Sequence, residues 1–196
     1  MKVPFFKRLF AYIIDILIVT ILTTMICSAI PSKNENVEKK LSKLSTELIE
    51  KKIDNKEYTD KYKDLMYESN KNERATTAIT LVLTIAYFVV FQYMNKGQTI
   101  GKKLLGLRVV SSETKKEVSI LKGLLRSILP ISIISNTISI ALINILTKKV
   151  YINLYLAVSE LETLFIFVTV FLILYRKDGR GLHDMIANTM VVSEKR

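Results

Sequence analysis

The chain has 196 residues, 49 % of them hydrophobic and 24 % charged, with a formal net charge of +11, yet its mean hydropathy is +0.28. Many charges beside a positive mean hydropathy require the two classes to be segregated into blocks, which excludes a single soluble domain whose apolar residues recur at helix or strand period. One cysteine, Cys27, and one histidine, His183, exclude an internal disulfide and an all-Cys/His zinc site.

The blocks predict an all-α integral membrane protein with four transmembrane helices and a charged extracytoplasmic helical hairpin between spans one and two. A bilayer core about 30 Å thick needs about 20 helical residues, and residues 75–94 and the uncharged stretch within 122–147 meet that length. The first span, 9–30, contains Asp15, which costs about 2.5 to 3.5 kcal/mol at mid-helix, but the surrounding Leu, Ile, Phe and Val residues outweigh it at about −0.3 to −0.6 each. A cleaved signal peptide is the rival reading of this block, with 27–29 as a small-residue cleavage site. Its apolar run exceeds the usual h-region of about 7 to 15 residues, which favours retention. The fourth span, 152–175, carries Glu160 and Glu162, placed toward its outer end.

Between spans one and two, residues 31–74 hold 11 basic and 10 acidic side chains, so charge does not set their side. Val37, Leu41, Leu44 and Leu48, then Tyr58, Tyr62 and Leu65, recur at helical spacing around a polar break at 54–56. Ser32 with Glu35 and Asp54 with Glu57 match the capping arrangement of a helix start. These signals predict an antiparallel helical hairpin, read either as a solvated connector or as a partner-binding coiled coil.

The segments 95–121 and 176–196, together with Lys2, Lys7 and Arg8, concentrate basic residues at span ends. They are expected on the cytoplasmic side, with both termini inside. Gly97-Gln98-Thr99-Ile100-Gly101-Lys102-Lys103 resembles a phosphate-cradling loop but is one residue short between its glycines and lacks the metal-binding hydroxyl after the lysine. Residues 107–110 and 118–120 are expected to form a short hairpin at the membrane face.

Arg8-x-x-Ala11-x-x-x-Asp15, Gly97-x-Thr99-x-Gly101-Lys102 followed by Gly106-Leu107-Arg108-Val109-Val110, and Leu182-His183-Asp184 followed by Ala187-x-Thr189-x-Val191-Val192 resemble, in order and placement, the RDD family of small membrane proteins. By that resemblance Arg8, Asp15 and Asp184 are the arginine and two aspartates that name the family, and the outer hairpin is an insertion. The resemblance implies a multi-pass protein of the bacterial inner or plasma membrane, for whose family transport, including cation/proton exchange, has been proposed.

Aligning residues 97–113 with 179–195 at an offset of 82 pairs Gly97 with Gly179, Val109 with Val191 and Ser111 with Ser193. The chain therefore reads as two copies of span, span, motif, in the manner of parallel transporter repeats, with Arg8 and Arg126 as equivalent starts. Chance similarity between apolar strands is the competing explanation.

Asp15 is the first candidate for chemistry, because an ionisable group within a span must face protein or a water-filled cavity and find a partner. Arg126 is the expected partner, and Asp15, Arg126 and Glu160 are the ion or proton site candidates. A buried carboxylate that alternately holds a proton and a cation meets the physical requirement of antiport; an ion pair that locks helices together is the structural alternative. Asp184 is expected to pair with Arg8 or Lys102 and fix the cytoplasmic motifs against the helix ends. His183 and Asp184 lack a nucleophile, so no enzyme activity, cofactor or metal is expected. The expected partners are the bilayer, anionic lipid head groups, a monovalent cation or proton and further copies of the chain. Nucleic acid is not among them, because the basic residues are divided among membrane-edge loops. The leading function is a small transporter or cation/proton exchanger, and the alternative is a non-transporting scaffold or accessory subunit.

Overall fold

A computed structural model describes residues 2–31, 33–128 and 130–194. The chain opens with α1 (Phe5–Cys27), apolar on all sides but burying Ala11, Asp15 and Val19 against the protein. Two polar helices follow, α2 (Glu35–Ile49) and α3 (Asn55–Asn72). Asn34 meets Ser69 and Glu73 while Lys40 meets Glu68, so α2 and α3 run in opposite directions. Val37 and Leu44 are buried between them, whereas Tyr62 stays exposed. The Asp54 carboxylate accepts the Glu57 amide at 2.7 Å and caps α3. The corresponding expectation at Ser32 lies outside the described residues, as do the basic Lys195 and Arg196.

The second apolar run, Arg74–Met94, is α4 (Arg74–Ile85), a π-helical stretch Ala86–Phe91, and α5 (Gln92–Met94). The wider π turn carries the buried Tyr87 and Phe88, and such turns interrupt helices most often where side chains do something specific. Next come α6 (Ile100–Leu104), β1 (Leu107–Ser111), α7 (Ile120–Ser127), α8 (Ile133–Ala141), α9 (Lys148–Tyr175), α10 (Leu182–Ile186) and β2 (Thr189–Ser193).

Among the described residues three helices are long and apolar enough to cross a membrane: Phe5–Cys27, Arg74–Met94 and Lys148–Tyr175. The expected single span over 122–147 is instead two helices, α7 ending at Ser127 and α8 starting at Ile133. Pro130 removes an amide from the helical ladder, and Ser132 takes a left-handed backbone with φ 54°. At a rise of about 1.5 Å per residue, the nine residues of α8 cover only about 14 Å. Even so, Arg126 on α7 meets Asp184, whereas the Ile143 carbonyl just beyond α8 meets Tyr67 on α3.

The fold is not wholly helical. β1 and β2 form a two-stranded antiparallel sheet with Val109 opposite Val191. This corrects the expected pairing of 107–110 with 118–120. Ser119 instead caps α7 by accepting the Lys122 amide, and β1 keeps Leu107 and Val109 fully buried against its distant partner.

The 82-residue offset recurs in the backbone. α6 and α10 are the same five positions, β1 and β2 the same five positions. Gly97 and Gly179 share a positive φ, as do Gly106 and Asn188. Because Val109 pairs with its own equivalent, Val191, the local two-fold axis passes between them.

Candidate functional site

Two carboxylates, Asp15 and Asp184, are completely buried at the end of the bundle where α6, α10 and the sheet sit. Asp15 projects from α1 onto the start of α6. The Tyr87 hydroxyl donates to its Oδ1 at 2.7 Å, the Gly101 amide to Oδ1 at 2.8 Å, and the Thr99 hydroxyl to Oδ2 at 2.5 Å. Glycine is required at 101 by space: a Cβ there would lie 2.2 Å from the Ala11 carbonyl oxygen and 2.8 Å from Asp15 Oδ1. The α1 backbone can approach α6 only because that atom is missing. Thr99 is also the N-cap of α6, so one residue both starts the helix and holds the carboxylate. Lys102 Nζ stands 3.8 Å from Asp15 Oδ2 and donates to Gln92 Oε1 at 2.9 Å and Thr99 Oγ1 at 3.1 Å.

Asp184 is held by more charge. Arg8 donates to its Oδ2 at 2.6 Å, Arg126 donates to its Oδ1, and the Thr189 hydroxyl donates to Oδ1 at 3.2 Å. Arg8 also donates to the Gly179 carbonyl, and Arg126 to Thr189 Oγ1 at 3.1 Å. Burial alone would raise the Asp184 carboxyl, but Arg126 and Arg8 hold it well below the usual carboxylate range. His183 Nε2 lies 3.5 Å from Asp184 Oδ2, and its Nδ1 is buried with no hydrogen-bond partner among the described residues. Burial pushes His183 down to about 3, leaving it neutral at physiological pH. Burial also lowers Lys102 to about 8, partly offset by the nearby Asp15 carboxylate.

Arg126, expected beside Asp15, instead faces Asp184; it reaches Thr189 and Asp184 because α7 packs on α10. Glu160 is exposed on α9, on the face away from the protein. Its neighbour Glu162 is only 3 % exposed and accepts the Ser135 amide, in the first turn of α8, at 3.3 Å. Among the described residues Glu162 has no ion-pair partner. The sequence placed both glutamates at the outer boundary; helical phase, which turns 160 and 162 about 200° apart at 3.6 residues per turn, was the signal that separates them.

A family model described as the RDD family matches residues 2–188. The chain belongs to the RDD family. No curated protein and no solved structure matches it. The match spans the helices, including the polar pair α2 and α3, the first motif segment and the Leu182-His183-Asp184 part of the second. Of the three residues that the resemblance assigns to the family's name, Arg8 and Asp184 bond directly, while Asp15 stands in its own network with Tyr87, Thr99 and Gly101. Tyr87 and Gln92, neither part of the motifs, complete these networks from the second apolar run.

Proposed function

We propose that this RDD-family chain is a non-enzymatic cation/proton exchanger of the bacterial cell membrane, with both termini cytoplasmic and α2 and α3 as an extracytoplasmic hairpin. The broken segment α7 and α8 makes the fourth crossing, since its two ends meet opposite ends of the bundle. The observation that carries the reading is Glu162. A carboxylate buried on an apolar helix without a cation has a large desolvation penalty when charged, which a proton or a metal cation relieves. It lies beside a helix break, where Ser132 takes a left-handed backbone and its carbonyl accepts both the Ser135 hydroxyl at 3.3 Å and the Asn136 amide at 3.1 Å. Ser135 and Ser139, both buried on α8, add hydroxyls on the same element. Because four helices enclose little space, the working unit is a homo-oligomer, and the basic span ends face anionic lipid head groups.

Asp15 is the second carboxylate candidate, but three hydrogen-bond donors and the Lys102 ammonium at 3.8 Å already surround it. That observation favours a second reading, a membrane scaffold in which the buried charges only lock helices together. The two readings separate in proteoliposomes. An exchanger shows sodium-, potassium- or lithium-dependent proton movement that Glu162→Gln abolishes in folded protein; a scaffold shows none in either protein.

A further inference from the structure

A cavity of about 130 Å³ opens beside the Asp184 network. Its polar wall consists of Arg8 from α1, Lys102 from α6, Arg126 from α7 and His183 from α10, and Phe5 and Ile173 give it an apolar side. The three cations keep side-chain exposures of 10 %, 14 % and 10 %, whereas Asp15 and Asp184 are at 0 % and do not line the cavity. The cavity therefore meets positive charge, with the carboxylates sealed behind it. Three cations against two carboxylates leave one positive charge in excess in a buried place, which is unfavourable unless an anion compensates it. A polar atom is also left over, since His183 Nδ1 is buried without a partner among the described residues.

We propose that this cavity binds one phosphate oxyanion, supplied by the head group of an anionic phospholipid. Guanidinium groups match phosphate oxygens in a planar fork. A volume of about 130 Å³ is enough to admit a phosphate group. Phe5 and Ile173 belong to two of the helices long enough to cross a membrane, so the apolar side offers a path for acyl chains that free phosphate would not use. Basic recesses between membrane helices suit anionic head groups generally. The inference does not depend on Glu162 carrying protons.

The test uses purified full-length protein, with phosphatidylglycerol and inorganic phosphate as separate probes, read by native mass spectrometry and by thermal stability in detergent. One phosphatidylglycerol retained per chain, with affinity reduced at least tenfold in Lys102→Gln, is the expected result. Lys102→Gln leaves the Arg8, Arg126 and Asp184 bonds in place; if it does not fold, Ile173→Trp fills the cavity without changing charge. Stabilisation by inorganic phosphate and not by the lipid, lost in the same variants, keeps the phosphate site but overturns the lipid as its source. Lipid retention equal in wild type and variants, or retention of neither probe, overturns the site.

Discussion

Lys102 and Asp184 are each the third residue of two five-residue helices that recur 82 residues apart, and they carry opposite charges. Lys102 stands near Asp15 on the preceding long helix, while Asp184 bonds Arg126 on α7. Each short helix thus contributes one member of a buried ion pair from its third position, with opposite charge in the two copies. The two copies differ in tightness, since Asp184 has two arginines in direct contact and Asp15 meets its lysine only at 3.8 Å. Removing one partner of a closely bonded buried pair costs about 3 to 5 kcal/mol. Asp184→Asn is therefore expected to lower the midpoint of thermal unfolding in detergent well beyond Lys102→Gln, and to lower assembled yield. Equal midpoints for the two variants would show that Asp184 is not the lock.

Gly101 gives a steric prediction. Gly101→Ala must displace the Ala11 carbonyl or Asp15, and overpacking of this kind costs about 1 to 3 kcal/mol. Gly106→Ala meets only the Glu194 carbonyl oxygen at 3.9 Å, and its penalty is that of a left-handed backbone, about 1 to 2 kcal/mol. Thermal unfolding should rank Gly101→Ala as the less stable protein, and the reverse order would contradict the close approach of α1 to α6.

Stability should fall on acidification. His183 titrates at about 3 when folded and at 6.5 when unfolded, so its contribution is complete above pH 6.5 and is lost as pH falls from there toward 3. Asp184, whose folded value is depressed, adds a loss in the same direction below the ordinary carboxylate range. Arg8, Arg126 and Lys102 face this pair, and Lys102, lowered only to about 8, keeps its proton throughout that window. Unfolding midpoints recorded between pH 7 and 4 should drop in the wild type and drop less in His183→Gln; identical slopes would remove His183 from the account.

Tyr151 ties the polar helices to the bundle, because its fully buried ring meets Tyr67 edge to face and its hydroxyl accepts from Asn70 at 3.0 Å. Tyr151→Phe keeps the ring and loses the bond, worth about 1 kcal/mol; Tyr151→Ala loses both and costs about 3 to 5 kcal/mol. Protease cleavage within 50–54 should rise steeply in the alanine variant and little in the phenylalanine variant. Equal cleavage in all three proteins would mean that α2 and α3 are held elsewhere.

Much of this was legible because hydropathy blocks and capping chemistry are local. Residues 75–94 and Asp54 announce themselves within a few neighbours, and the 82-residue offset exposed α6 and α10 with their strands. The sheet partner was not legible: β1 and β2 are separated by most of the second repeat, and a local reading joined 107–110 to the nearest apolar triplet, 118–120. The break after Ser127 was hidden because 127–147 carries no charge, so hydropathy alone cannot distinguish one helix from two. Arg126 was placed beside the wrong carboxylate, since depth along a span says nothing about which helix lies opposite. Glu162 was grouped with Glu160 by proximity in the chain, although helical phase sends their side chains in different directions.

The most direct measurement is cation-dependent proton movement in proteoliposomes, comparing wild type, Glu162→Gln and Asp15→Asn reconstituted in equal amounts as folded protein. The account predicts movement in the wild type, its loss in Glu162→Gln, and its retention in Asp15→Asn. Movement that survives Glu162→Gln, or is absent from the wild type, would contradict it.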